Sequence, residues 1–158
     1  MADNEVKLNV GEVAPDFSLM GSDRRNHTLS EFKGKYLVLY FYPKDNTPGC
    51  TIEANEFNKH LGEIKQLGAE VVGVSKDDLD SHDKFKDKCS LKFLLLSDPD
   101  SKVIKAYGSY GSRGIFGVGT LRNTFVIGKD GRLAKIYEKV SPKGHAEEVV
   151  EFLKTAAN

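Results

Sequence analysis

The segment Tyr42–Glu53 reads Y-P-K-D-N-T-P-G-C-T-I-E, and it puts a cysteine, Cys50, where a sulfur can be reactive. The apolar run Tyr36–Tyr42 ahead of it reads as a buried strand, and a helical pattern begins at about Cys50. Pro43 and Pro48 bracket the turn between them, and Gly49 directly precedes the cysteine. A sulfur in the first turn of a helix feels the positive end of the helix dipole and several free backbone N–H groups. Those surroundings favour the thiolate, which is the nucleophile, over the thiol. The bland alternative is that a lone cysteine is a small buried hydrophobe. The strand–turn–helix corner and the preceding T-P-G favour the reactive reading for Cys50.

The rest of the chain bounds what such a sulfur can serve. Its 158 residues suit one domain, 1–158, large enough for a core of its own. The 23 basic and 23 acidic side chains cancel, so no nucleic-acid or anionic-membrane partner is advertised. No apolar run approaches the roughly 20 residues of a spanning helix. The opening M-A-D-N-E-V-K lacks the apolar core of a secretory signal, which makes the cytoplasm the default compartment. Two cysteines, Cys50 and Cys89, are too few for a disulfide scaffold, and no C-x-x-C dithiol is present. The four histidines show no metal-ligand spacing, so neither a metal nor a cofactor is expected, and His82 and His145 read as solvent-facing and without a role.

Several elements must hold the cysteine corner. Phe17, Leu19 and Leu29 flank the polar turn Gly21–Asn26 and suggest a small hairpin. Leu29–Phe32 reads as a short helical turn. Cys50, Ala54, Phe57, Leu61 and Ile64 recur at helical spacing and share one face, with Gly68 ending the helix. Glu70–Ser75 and Phe93–Leu96 read as strands. Between them lies a helix capped by Asp80 or Ser81, with Phe85 and Cys89 on one side. Val103, Ile104 and Tyr107 suggest a brief helix. Gly108–Gly119, with five glycines among twelve residues, reads as a mobile loop whose apolar points are Tyr110, Ile115 and Phe116. Thr124–Ile127 and Leu133–Tyr137 form a hairpin around G-K-D-G-R, and His145–Ala157 a last amphipathic helix. Strands alternating with helices imply parallel pairing, and the closing hairpin adds antiparallel strands. The fold class is α/β, a mixed central sheet flanked by helices.

The stretch F-Y-P-K-D-N-T-P-G-C-T-I-E-A resembles the active-site segment of the peroxiredoxins, most closely the bacterioferritin comigratory protein or Q-type group. The family signature P-x-x-x-T-x-x-C falls on Pro43, Thr47 and Cys50. The likeness continues in A-P-D-F-S-L, L-L-S-D-P-D, R-N-T-F-V-I-G-K-D-G and P-K-G-H-A-E-E-V, so it spans nearly the whole chain. It implies a thioredoxin-like fold with an N-terminal hairpin extension. It also implies a thiol-dependent peroxidase acting on hydrogen peroxide and organic hydroperoxides. Cys50 would become a sulfenic acid, to be reduced by thioredoxin or another thiol. By the same resemblance Arg122 is the cation beside the sulfur, Thr47 offers a hydroxyl to the peroxide, and Pro43 shields the site. Gly49 supplies backbone donors, and Glu53 could orient Arg122 or a second arginine. The alternative is a redox-sensing or binding module that uses Cys50 as a switch.

Two positions depart from the pattern. Many Q-type members carry a second cysteine five residues after the first, where this chain has Asn55. Cys89 is the remaining candidate for a resolving thiol, but its apolar neighbours Leu91 and Phe93 favour a buried structural role. The expectation is a one-cysteine cycle closed by an external thiol, with a Cys50–Cys89 disulfide as the alternative. Gly128 stands where relatives often have an acidic residue, in a turn remote from the chemistry. The likeness implies a monomer, with a dimer through loops near the active site as runner-up.

Overall fold

The computed structural model describes residues 6–156. Its centre is β3 (Tyr36–Phe41), a strand buried on both faces. Side chains alternate along a strand, so Val38 and Tyr40 enter one core, while Leu37, Leu39 and Phe41 enter the other. That double burial is why this segment reads as a continuous apolar run.

On one side β3 pairs in parallel with β4 (Ala69–Ser75), which pairs in parallel with β5 (Leu94–Ser97). Beyond β5 comes the hairpin of β1 (Ser18–Gly21) and β2 (Asn26–Thr28), joined antiparallel through β1. The β6 (Tyr110–Ser112) and β7 (Val118–Thr120) strands form a separate two-stranded ribbon. On the other side of β3 lie β8 (Thr124–Ile127) and then β9 (Leu133–Tyr137), both antiparallel. The order of the seven-stranded sheet is β2-β1-β5-β4-β3-β8-β9.

Helices α1 (Pro48–Lys59), α2 (Leu61–Gln66), α3 (Leu79–Cys89) and α5 (His145–Ala156) contribute to one core through residues such as Phe57, Ile64, Phe85 and Val149. The opposite face is covered by α4 (Lys102–Ala106) and the N-terminal segment carrying Ala14 and Phe17. No helix among the described residues is long and apolar enough to cross a membrane.

Most expected elements are present, and four details differ. The apolar stripe from Cys50 to Ile64 belongs to two helices, because the chain breaks at His60. Asp78, not Asp80 or Ser81, caps α3; its carboxylate accepts the Ser81 N–H at 2.8 Å. Gly108–Gly119 is not an irregular loop but includes the β6–β7 ribbon, closed by a 3-10 turn at Gly114–Phe116. Ala157, the expected last residue of α5, lies outside the described residues.

The histidines are the fourth correction. His82 and His145, read as solvent-facing, are 0% and 1% exposed. His145 Nε2 pairs with Thr124 Oγ1 at 2.8 Å and Nδ1 with Glu148 Oε1 at 2.9 Å. His82 Nδ1 donates to Asp45 Oδ2 at 2.7 Å, and Nε2 donates to the Leu96 carbonyl at 2.9 Å. With acceptors at both ring nitrogens, His82 is held as the imidazolium. Buried polar groups persist where such partners exist, which polarity alone does not reveal. Asp45 also accepts from Tyr42 Oη at 2.6 Å and Ser81 Oγ at 2.8 Å. This cluster fastens the segment after β3 to α3 and β5, and so fixes the chain that leads into Cys50.

Burial lowers the affinity of His82 for its second proton, but the Asp45 hydrogen bond and charge outweigh burial, so its pKa is raised. A raised pKa contributes stability in full below the unfolded value of about 6.5 and loses it as pH climbs through the folded value. His82→Gln should therefore lower stability by about 3–5 kcal/mol in mildly acidic buffer, since it leaves the Asp45 charge uncompensated. Thermal melts over a pH series should show that deficit narrowing toward alkaline pH. A deficit constant with pH would show that the ion pair is not its source.

Candidate active site

Thr47 is the N-cap of α1, Pro48 and Gly49 are its first two residues, and Cys50 is the third. Proline fits the first turn because its missing N–H is one the helix leaves unpaired anyway. The first helical hydrogen bond runs from Thr51 N to Thr47 O at 2.9 Å, so the N–H groups of Gly49 and Cys50 precede the ladder. Asn46 enables the turn by taking a left-handed backbone, φ 63°, which asparagine tolerates. The Thr47 side chain does not cap the helix. Its hydroxyl donates to the Lys44 carbonyl at 2.7 Å, which commits its proton and leaves its lone pairs as acceptors.

Arg122 reaches this corner through the sheet. Because β8 runs antiparallel to β3, Thr124 pairs with Tyr40, and the residues before β8 arrive where β3 ends. The Arg122 guanidinium Nη1 donates to Cys50 Sγ at 3.5 Å and to Glu53 Oε1 at 2.8 Å. Glu53 lies three residues after Cys50, hence on the same helix face, and is fully buried. Burial pushes its carboxyl up to about 7, although the Arg122 charge and hydrogen bond pull it down.

The structure thus brings Thr47, Gly49, Cys50, Glu53 and Arg122 into one corner. Pro43 lines an adjoining groove of about 410 Å³ that shares Arg122 with this corner, together with Ser112, Arg113, Gly114, Leu121, Lys139 and Val140. Cys89 is elsewhere, at the last position of α3, and both cysteines are free thiols. It is half-buried rather than sealed in the core, and burial raises its thiol pKa.

Gly49 has a steric duty that its position in the sequence does not announce. A Cβ there would stand 3.0 Å from Arg122 Nη2 and 3.3 Å from Pro142 Cγ. The guanidinium lies against the bare glycine backbone. Asn123 is a residue that sequence reasoning missed. Its side chain donates to Ser109 Oγ at 3.0 Å and accepts the Lys139 N–H at 2.8 Å, while its carbonyl accepts the Phe41 N–H at 2.8 Å. Those bonds pin the backbone that carries Arg122. The only signal in the sequence was a polar residue at the mouth of an apolar strand, and that is too common to single it out.

Helices flanking this mixed sheet, with the added hairpin, make a thioredoxin-like fold of the peroxiredoxin class. The sequence profile of the AhpC/TSA family matches residues 10–136, and the chain belongs to that family. Peroxiredoxin Bcp of Bacillus subtilis is 44% identical over 150 residues, spanning 93% of this chain and 96% of that protein. A bcp relative of Helicobacter pylori is 48% identical, spanning 93% of this chain and 99% of its own length. The structure of a PrxQ variant from Xylella fastidiosa superposes with TM-score 0.92 at 39% identity, covering 97% of this chain and 99% of that one. Bacterioferritin comigratory protein of Xanthomonas campestris, whose structures address its alkyl peroxide reduction activity, gives 0.89 at 36%, covering 95% and 100%. The chain is a thiol-dependent peroxidase, with a peroxide as substrate and a thiol as reductant.

Gly49→Ala should displace the guanidinium while leaving the helix intact, since alanine is the better helix former. Oxidation of the chain by peroxide should slow by about three- to tenfold, because the guanidinium need give only by a few tenths of an ångström, less than the full ångström that costs about a hundredfold. Unchanged stopped-flow rates, with an unchanged circular dichroism spectrum, would show that contact to be incidental.

Proposed function

We propose that this chain works as a single cytoplasmic domain that reduces hydrogen peroxide and small organic hydroperoxides through Cys50. The observation that supports this most is Arg122 Nη1 at 3.5 Å from a sulfur in the first turn of a helix. A permanent positive charge beside the sulfur favours the thiolate. The thiolate attacks the terminal oxygen of R-O-O-H, an S–O bond forms, and the O–O bond breaks. The sulfur is oxidised by two electrons to the sulfenic acid, and the departing oxygen leaves as water or alcohol once protonated. Arg122 and the N–H groups of Gly49 and Cys50 stand ready to stabilise charge on that oxygen. Thr47 Oγ1, its own proton engaged by Lys44, accepts the O–H of the incoming hydroperoxide. Pro43 walls the groove that adjoins Arg122, and Glu53 orients the guanidinium.

Organic hydroperoxides are included for two reasons. The groove carries apolar Pro43, Leu121 and Val140, and the Xanthomonas campestris relative is known for alkyl peroxide reduction. An external thiol, thioredoxin among the candidates, would return the sulfenic acid to thiol. Two features favour this one-cysteine cycle over a Cys50–Cys89 disulfide. The Cys89 thiol pKa is raised by burial, which keeps it protonated. Asn58 of α1 donates to Ser90 O at 3.0 Å and accepts from Lys92 N at 2.8 Å, a clasp to the end of α3 that unwinding α1 would have to break. The expected state is a monomer. The runner-up dimer would use the exposed Ile115, Phe116 and Val118 at the rim of the groove.

Cys50→Ser should abolish turnover. Arg122→Ala should slow Cys50 oxidation by about 10²–10³, the usual loss of one positioned donor. A second-order rate in the parent no faster than a free thiol would instead favour a redox-sensing module. Mass spectrometry after one equivalent of peroxide should find one added oxygen on the Cys50 peptide. A loss of two hydrogens mapped to linked Cys50 and Cys89 peptides would overturn the one-cysteine cycle.

A further inference from the structure

The buried side-chain oxygens without a hydrogen-bond partner, among the described residues, are Tyr40 Oη, Glu53 Oε2 and Thr120 Oγ1. One of them belongs to Glu53, which shares a hydrogen-bond donor with the reactive sulfur. Glu53 is one helical turn along from Cys50, and Tyr40 shares a core cluster with it. Glu53 and Cys50 both take hydrogen bonds from one nitrogen, Arg122 Nη1, at 2.8 and 3.5 Å, while Glu53 Oε2 takes none. If both groups were ionised, two anions, each at most 1% exposed, would face one cation. A buried charge without a partner is expensive, and a neutral carboxyl leaves far less charge to compensate.

Arg113 and Lys139 line the adjoining groove with Arg122, but among the described residues neither donates a hydrogen bond to Cys50 or Glu53. Glu56, on the same helix, adds a further acid that raises the Glu53 pKa. His145 at the start of α5 has its pKa lowered by burial, and the Arg122 charge also opposes its protonation, so it stays neutral near neutral pH. Tyr40 on β3 is held well above its usual value by burial and by the charges of Glu53 and Cys50, so its phenol stays un-ionised.

We propose that Cys50 and Glu53 hold a single negative charge between them beneath Arg122, the sulfur ionising by giving its proton to Glu53. The balance is internal: Cys50 thiol plus Glu53 carboxylate becomes Cys50 thiolate plus Glu53 carboxylic acid, with no net proton exchanged with solvent. This rests on the reading of Cys50 as the peroxide-reducing sulfur and assigns Glu53 a further part in it. Glu53 is a positioning residue that governs when the sulfur is charged. A carboxyl pushed up to about 7 accords with such an exchange. Two groups coupled this way titrate as a pair, in two macroscopic steps.

The test is ultraviolet thiolate absorbance against pH in the full chain with Cys89→Ser, with and without Glu53→Gln; the corresponding Cys50→Ser protein supplies the baseline. Glutamine keeps an oxygen for Arg122 but neither ionises nor accepts the proton. The parent should show a broad, two-step rise. The Gln variant should show one sharper step, moved to lower pH by about one unit or more, the scale of a lost neighbouring anion. Coincident curves, or a shift to higher pH, would overturn the proposal. The reciprocal measurement needs no Gln variant. In Cys50→Ser, isotope-edited infrared should show the Glu53 carboxylic acid band disappearing at lower pH than in the parent, because coupling acts equally on both partners. An unmoved band would overturn the proposal as well. If both titrations behave as expected but hydrogen peroxide fails to oxidise Cys50, charge sharing stands and the peroxidase role of Cys50 falls.

Discussion

One guanidinium between two potential anions is the constraint around which this molecule is arranged. Arg122 Nη1 serves both the sulfur of Cys50 and the carboxyl of Glu53 in a corner almost closed to solvent. In water such an arrangement would be worth little, since exposed ion pairs contribute on the order of 0–1 kcal/mol. Removed from water, charge and hydrogen bonding become strong enough to control a protonation state. The corner must therefore be held rigid, and much of the surrounding polar structure does that work.

The holding is done from three sides. The sheet register delivers Arg122 to the end of β3, and Asn123 fixes its backbone through bonds to Ser109, Lys139 and Phe41. The Asp45–His82 pair and its hydroxyl partners fasten the segment between β3 and α1. Gly49 keeps the helix mouth thin enough for the guanidinium to lie against it. None of these groups other than Gly49 belongs to the helix that carries the sulfur. The corner around Cys50 is thus a property of the strand ends at the middle of the sheet as much as of the helix.

The groove beside Arg122 carries a second character. Arg113, Arg122 and Lys139 line it together with apolar Pro43, Leu121 and Val140. At its rim the glycine-rich segment folds into a ribbon whose turn exposes Ile115 and Phe116 at 95% and 72%. Glycine in left-handed conformations at Gly114 and Gly117 permits that tight turn. The same glycines that suggest mobility in the sequence here shape a defined wall beside the site.

What the sequence determined by itself is local. Strand and helix periodicities located most elements of the sheet and helices, because alternation and the 3.6-residue repeat are written along the chain. The Thr47–Cys50 turn was legible for the same reason, since proline, glycine and a helix start are neighbours in sequence. What only the tertiary structure decided is which distant groups meet. Composition does not set the antiparallel register of β8 on β3, so the placement of Arg122 over Cys50 rested on resemblance until the sheet was seen. Nor does polarity say which histidine or asparagine will be buried. His82, His145 and Asn123 are inside because partners 14 to 37 residues away satisfy their hydrogen bonds, a condition met only when the chain is folded.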